Sequence, residues 1–240
     1  MEIRTERQPT IHAGMFPTRL RLAPYRDQCA RWPSTGRHVL AQYDDWVYQA
    51  YRRALGDFAA SHGWFGGGFS LDRMSWIKPG FLWMMYRSGW GTRPGQEVVL
   101  AVSLHRAAFD EILARAVPSS HVAARYPDHR AWKDAIAASE VRLQWDPDHD
   151  PNGVPLERRA VQLGLRGSVL ARYAREWIVA IEDISGLVAA ERARLRAAGP
   201  DAIETPRDRV YPLTDAAIAA LGADPLPASV NADGSGEPIE

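Results

Sequence analysis

Cysteine and lysine are scarce in this 240-residue chain: Cys29 stands alone, and Lys78 and Lys133 are the only lysines among 29 basic residues. A lone cysteine closes no internal disulfide, so stability has to come from a buried core, and cytoplasmic residence is the default expectation. Long hydrophobic runs are missing too. Arg, Asp, Lys or Gly interrupts every apolar stretch before it reaches the roughly 18 residues that a helix needs to cross a bilayer, so no membrane partner is expected. Met1 to Arg7 alternates charged and apolar residues with no apolar stretch behind it, which argues against a secretory leader. An excess of one charge is absent as well, because 29 acidic residues balance the 29 basic ones. Coating nucleic acid non-specifically depends on many cation-to-phosphate contacts; neutrality argues against that and leaves a local basic groove open. The seven His show no HExxH spacing and no close Cys partner, so no metal is expected.

What is present is ordinary globular composition, 46% apolar, 10% aromatic and 24% charged, which fits one compact domain. The charge is uneven: residues 1–37 carry seven Arg against Glu2, Glu6 and Asp27, and residues 200–240 carry eight acids against Arg207 and Arg209. This divides the chain into an Arg- and Pro-rich arm over residues 1–36, packed on a globular domain over 37–221, and a disordered acidic tail over 222–240. The arginine bias has a plain origin in a GC-rich coding sequence, yet it makes Lys78 conspicuous inside the most aromatic stretch of the chain.

Hydrophobic patterning predicts a strand over Trp46 to Tyr51, with Asp44 and Asp45 as the preceding turn, and a helix over Arg52 to His62 stopped by Gly63. Gly66 to Gly68 reads as a loop into a strand over Phe69 to Ile77. Lys78-Pro79 ends that strand, and Pro79 suits the first turn of a helix closing near Gly89. Val98 to Leu104 is the clearest buried strand, followed by a helix over Arg106 to Ala116. Val141 to Trp145 and Ala160 to Leu165 read as strands, and Val169 to Arg175 as a helix with Ser168 as its cap. Trp177 to Ile184 reads as a strand or a continuation of that helix. Strands and helices mix without strict βαβ alternation, so the expected class is α+β, a single domain with a mixed, mostly antiparallel central sheet.

Five of nine Trp (Trp46, Trp64, Trp76, Trp83 and Trp90) fall between positions 46 and 90, with Met74, Met84 and Met85. The plain reading is a core packing a sheet on a helix. The functional reading rests on the polar residues among them, Gln49, Asp72, Arg73, Lys78, Arg87 and Ser88, because an aromatic wall with a few fixed cations suits an anionic ligand carrying a flat ring, a nucleotide. Gly66-Gly67-Gly68 lacks the GxxxxGK[ST] pattern and precedes a strand, so it reads as a hairpin or lid and not as a phosphate cradle. Asp146 to Gly153, with Glu157, copies part of a calcium-loop spacing, but Pro151 replaces the turn glycine and a turn is the expected outcome. Glu182-Asp183 reads as a catalytic carboxylate or a solvated turn.

Tyr43 to Tyr51 (YDDWVYQAY), Phe69 to Thr92 (FSLDRMSWIKPGFLWMMYRSGWGT), Gln96 to Val102 (QEVVLAV), Gln144 to Asp150 (QWDPDHD), Val161 to Leu165 (VQLGL) and Tyr173 to Ser185 (YAREWIVAIEDIS) resemble the bacterial and fungal family catalogued as domain of unknown function 4291, across Arg37 to Leu213. That resemblance supplies a family and no activity. A fold-level similarity to ADP-ribosyltransferases implies NAD as cofactor, with Tyr48-Gln49 on a first strand, Phe69-Ser70 near a second and Glu182 on a late one; Gln49 departs from the usual Arg or His. The chemistry so implied is cleavage of the nicotinamide glycosidic bond. Arg73, Lys78 and Arg87 would hold the pyrophosphate, Trp76 or Tyr86 would stack on a ring, and Glu182 or Asp146 would be the carboxylate. The expectation is a nucleotide-binding transferase that modifies nucleic acid or a small molecule. Its rival is a non-catalytic module that binds single-stranded nucleic acid on an aromatic platform.

Overall fold

The computed structural model describes residues 10–11, 17–42 and 46–225. In chain order the strands are β1 Thr10–Ile11, β2 Pro17–Thr18, β3 Leu22–Pro24, β4 Leu40–Gln42, β5 Trp46–Tyr51, β6 Ser75–Ile77, β7 Val98–Leu104, β8 Ala116–Pro118, β9 Val141–His149, β10 Pro155–Leu165, β11 Ile178–Asp183, β12 Glu204–Pro206 and β13 Asp208–Val210. The helices are α1 Tyr25–Cys29, α2 Arg53–His62, α3 Phe81–Ser88, α4 Arg106–Ala114, α5 His129–Ala138, α6 Gly167–Arg175, α7 Ser185–Ala198 and α8 Asp215–Leu221. None of these helices is long and apolar enough to cross a membrane.

Two sheets carry the structure. One runs β11-β7-β5 and is antiparallel; the other runs β6-β10-β9-β8 and is antiparallel except for the parallel β8–β9 pair. A single antiparallel bridge, Tyr48 to Lys78, joins them. Short ribbons β3–β12 and β4–β13 flank them. The fold is α+β with mostly antiparallel sheets.

Alternation of side chains across a strand splits the core in two. Val47, Leu100 and Val102 belong to one cluster with Leu55, Phe109, Leu170 and Tyr173 of the helices α2, α4 and α6. Trp46, Tyr48, Val99 and Ala101 belong to the other, with Phe81, Leu82, Met84 and Met85 of α3 and Leu187 and Val188 of α7. All seven residues of β7 are buried, which explains its unbroken apolar run; each large side chain so enclosed contributes roughly 1.5–3 kcal/mol. The helix α3 starts after Gly80 and ends at Gly89, whose φ of 58° closes it in the left-handed conformation, as a glycine allows.

Several local expectations change. Only Ser75–Ile77 of the expected Phe69 to Ile77 strand is extended and paired, because β10 offers it three partners, Leu163 to Leu165. Upstream, Gly67 and Gly68 take positive φ, and Phe69 and Leu71 reach the core from a loop. Pro79 precedes α3 instead of entering its first turn. Ser168 is not the cap of α6; Arg166 occupies that position, and Glu140 accepts the Ser168 N–H and hydroxyl, both at 2.7 Å. Ala116 opens β8 instead of closing α4. Trp177 to Ile184 resolves as a strand, β11, paired with β7. The arm is more than a covering: Leu20, Tyr25, Gln28 and Trp32 are buried, and Gln28 Nε2 donates to Thr205 O at 3.1 Å. Asp224, inside the stretch read as a tail, accepts the Arg37 N–H at 2.8 Å. The turn at Asp44 and Asp45 and the chain from 226 onward lie outside the described residues.

Candidate functional site

Registers place one row of residues on a common face across both sheets. Glu182 pairs with Ala101, Ala101 with Tyr48 and Tyr48 with Lys78. One step beyond Ile77–Leu163, the same register sets Lys78 opposite Gln162, which pairs with Gln144. Lys78 is the unusual member. It is only 6% exposed, and among the described residues its ammonium makes no hydrogen bond and no ion pair. Burial pushes its pKa down from 10.5 to about 8; the nearby Arg87 guanidinium adds to this and Asp146 opposes it. The Lys78 side chain is buried while the ammonium nitrogen keeps some contact with solvent and no protein counter-ion.

Its surroundings combine several expected site residues. Trp76 lies two positions before Lys78 on the same face and covers Gly164, whose missing Cβ would stand 3.0 Å from Trp76 Cζ2. Gln162 Nε2 donates to Gln144 Oε1 at 2.9 Å and to Asp146 Oδ2 at 2.8 Å, fixing that carboxylate. Arg87 stands on the exposed last turn of α3. So the fold brings Trp76, Lys78, Arg87 and Asp146 to one region.

Other expected residues lie elsewhere. Gln49 belongs to the opposite face of β5: its Nε2 donates to Ser75 Oγ at 2.9 Å and Trp76 O at 3.1 Å, and its Oε1 accepts from Tyr173 at 2.7 Å. Tyr48 is wholly buried, edge-on to Phe81. Ser70 and Arg73 are exposed on the loop before β6. Both Glu182 oxygens accept the Arg19 N–H at 3.1 Å, and Glu182 lies on β11, five strands from Asp146, roughly 24 Å at the usual strand spacing. Tyr86 stacks on His149, ring centroids 3.5 Å apart, and on Trp83. The calcium-like spacing forms a β9–β10 hairpin in which Asp150 accepts the Val154 N–H at 2.8 Å, and among the described residues no group of three or more His, Cys, Asp or Glu is arranged to hold a metal ion.

Sequence reasoning missed a second polar region, at the N-terminus of α3. Trp32, His38, Leu40, Gly80, Trp83, Asp148 and Asp208, with others, line a cavity of about 20 Å³. Asp208 Oδ2 accepts the Phe81 N–H at 3.2 Å, whereas Asp208 Oδ1 and Trp83 Nε1 are buried without a partner among the described residues. Burial pushes Asp208 up from 3.8 to about 8, with Asp148 adding to it and the Phe81 N–H and Arg158 opposing. Asp148 is itself tied to Arg158 by a buried 2.6 Å pair, and Arg158 sits over the Trp32 ring. Trp83 carried a signal as one of the clustered tryptophans and Asp148 as part of the acidic turn; Asp208 sits on a three-residue strand whose burial arises from distant segments.

The family described as Domain of unknown function (DUF4291) matches residues 38–211. No curated protein and no solved structure matches the chain.

Proposed function

The chain belongs to the DUF4291 family, and from the geometry of its sheet face we propose that it is a nucleotide-binding enzyme whose anionic ligand is held at Lys78. The carrying observation is the Lys78 ammonium, which ends a buried side chain, keeps some solvent contact and has no protein partner among the described residues. A cation kept in a low-dielectric setting without a protein counter-ion gains most from an incoming phosphate, and the bound anion restores its charge. Arg87 supplies a second cation on the solvent side, and Trp76 supplies a flat apolar surface for a base or a nicotinamide ring. Asp146, oriented by Gln162, is the carboxylate placed to orient a ribose or an acceptor hydroxyl. Acting on the glycosidic bond of a nucleotide such as NAD, this set fits a transferase that modifies a nucleic acid or a small molecule. Tyr48 and Gln49 are enclosed, so cofactor contacts run through Trp76, Lys78 and Arg87. A single cysteine and a nucleotide ligand fit residence in the cytoplasm.

The rival reading, an open platform for single-stranded nucleic acid, needs exposed aromatics in a basic groove. Trp46 and Trp83 are buried, and exposed Trp64 packs on Phe58 and lies under Arg175, which favours the enzyme. A thermal-shift panel of NAD, ATP, GTP, short RNA and short DNA tests both. A ligand at about 100 times its Kd adds about 2.7 kcal/mol of stability. One nucleotide should stabilise the wild type and lose its effect in Lys78→Met and Arg87→Ala; no shift from any nucleotide, or an equal shift in both variants, overturns the proposal.

A further inference from the structure

We propose that Gln162 and Gln144 read the ring of the bound nucleotide, selecting an edge that sets an amino group beside an acceptor, as adenine and nicotinamide do. The selection rests on the nucleotide reading of the Lys78 face and names what that face prefers. The orientation of both amides is dictated from one end. A carboxylate oxygen accepts and does not donate, so the Gln162 atom 2.8 Å from Asp146 Oδ2 has to be the amino nitrogen. That nitrogen also lies 2.9 Å from Gln144, whose atom there has to be the carbonyl oxygen. Asp146 sets Gln162, and Gln162 sets Gln144.

This relay decides which polar atoms remain. Both hydrogens of Gln162 Nε2 are engaged, so Gln162 keeps a free acceptor, Oε1, and Gln144 keeps a free donor, Nε2. Among the described residues neither atom has a hydrogen-bond partner, and neither is sealed from solvent, although both residues are half-buried. An amide oxygen and an amide N–H presented together match a ring edge carrying an N–H and an acceptor, which is how glutamine reads adenine in a nucleic-acid groove. With a neutral amide in place of the Asp146 carboxylate, either glutamine could turn over and the pattern would be lost.

The pair is also placed for a ring. Gln162 stands opposite Lys78 when the β6–β10 register is carried one step past Ile77–Leu163, and Gln144 follows on the far side. Two residues along β10 from Gln162 lies Gly164, and an added Cβ there would meet Met74 and Trp76. A ring stacked on Trp76 therefore has the two glutamines beside it, with the phosphate cation on the β6 side.

Two probe pairs test this: adenosine monophosphate against purine riboside monophosphate, and nicotinamide mononucleotide against its acetylpyridine analogue. In each pair the second member lacks only the amino group, lost outright or exchanged for methyl. Kd is measured by calorimetry in the wild type and in Gln162→Met. Free nicotinamide and free acetylpyridine, which carry no phosphate, are followed at the side-chain amide resonance of Gln144, identified by its loss in Gln144→Leu.

In the wild type the amino member should bind about tenfold more tightly, in whichever pair supplies the ligand, and Gln162→Met should remove that preference. Both members meet the same protein, so a general weakening in the variant cancels, and the wild-type ratio needs no variant. The preference between the free rings should survive in Lys78→Met. Equal affinities within both pairs overturn the inference, as does a preference that Gln162→Met leaves intact; the nucleotide reading then stands alone if Lys78→Met still abolishes binding. If no nucleotide binds while free nicotinamide moves the Gln144 resonance and acetylpyridine does not, the amide reader stands and the phosphate site at Lys78 falls. Silence of nucleotides and free rings alike overturns both.

Discussion

Tyr48 and Lys78 exchange two main-chain hydrogen bonds, Tyr48 N to Lys78 O at 2.7 Å and Lys78 N to Tyr48 O at 3.2 Å. That bridge joins the two sheets and fixes the Lys78 backbone between β5 and β10, immediately before the turn into α3. The side chain is thereby committed to the face it shares with Trp76 and Gln162. The burial of this side chain is a consequence of sheet register.

Lys78→Met should change the pH profile of stability in a defined direction. The folded pKa lies near 8 against 10.5 when unfolded, so between those values the unfolded chain binds more protons and wild-type stability rises with pH, by roughly 3 kcal/mol in all. Below about 8 both states are charged and the burial cost is fully present. Chemical denaturation across this range should show wild type and Lys78→Met converging as pH rises, with the variant ahead on the acidic side. Parallel profiles would mean that Lys78 is solvated.

Asp208→Asn carries the opposite sign. The folded pKa is raised from 3.8 to about 8, so the native state binds more protons between those values and wild-type stability falls as pH climbs through them. Asn keeps the acceptor for the Phe81 N–H and cannot ionise. Its advantage over wild type should grow with pH up to about 8, by several kcal/mol in total, and then level off. These two groups together put a trough near pH 8 in the wild-type profile, with each variant removing one side of it.

Gln49 separates a structural role from a cofactor role. Its carbonyl accepts the Tyr173 hydroxyl at 2.7 Å on the face away from Lys78, so Tyr173→Phe should destabilise the fold by about 1–2 kcal/mol, the cost of an orphaned buried acceptor. Nucleotide-induced stabilisation, measured as the difference between liganded and free protein, should be the same as in wild type. A variant that keeps its stability and loses the nucleotide shift would return Gln49 to the binding site.

How much of this was legible in the sequence depends on the range of the interactions. Trp46 to Tyr51 and Val98 to Leu104 follow from local pattern because β7 is central to its sheet and β5, beside it, sends side chains from both faces into the core. Phe69 to Leu71 has the composition of a strand and lacks a neighbour to pair with, so it stays a loop. Lys78 was conspicuous by rarity and its burial confirms its oddity, but its lack of a counter-ion is a tertiary fact. Asp208 was invisible: β13 is three residues long, pairs with β4 far upstream, and looks in sequence like one more acid in an acidic C-terminal segment. Arg73 and Arg87 read alike as cations near tryptophans, and only the fold distinguishes an exposed loop from the helix end that faces Lys78.

Gly164→Ala tests the platform role of Trp76 without touching a charge. An added Cβ would stand 2.6 Å from Met74 Sδ and 3.0 Å from Trp76 Cζ2, too close for either side chain to remain in place. Met74 is flexible and reaches in from a loop, so it yields readily; alanine also suits a strand interior better than glycine does. The net cost in stability should therefore be near the low end of the roughly 1–3 kcal/mol typical of overpacking. Trp76, held within β6, can only tilt off the sheet, and a ring stacked on it would lose its parallel contact. The expected outcome is a nucleotide Kd weakened by about tenfold, or 1.4 kcal/mol, with little change in Tm, read by titration calorimetry beside thermal unfolding. An unchanged Kd would show that the ligand ring rests somewhere other than Trp76, leaving Lys78 and Arg87 to hold the phosphate alone.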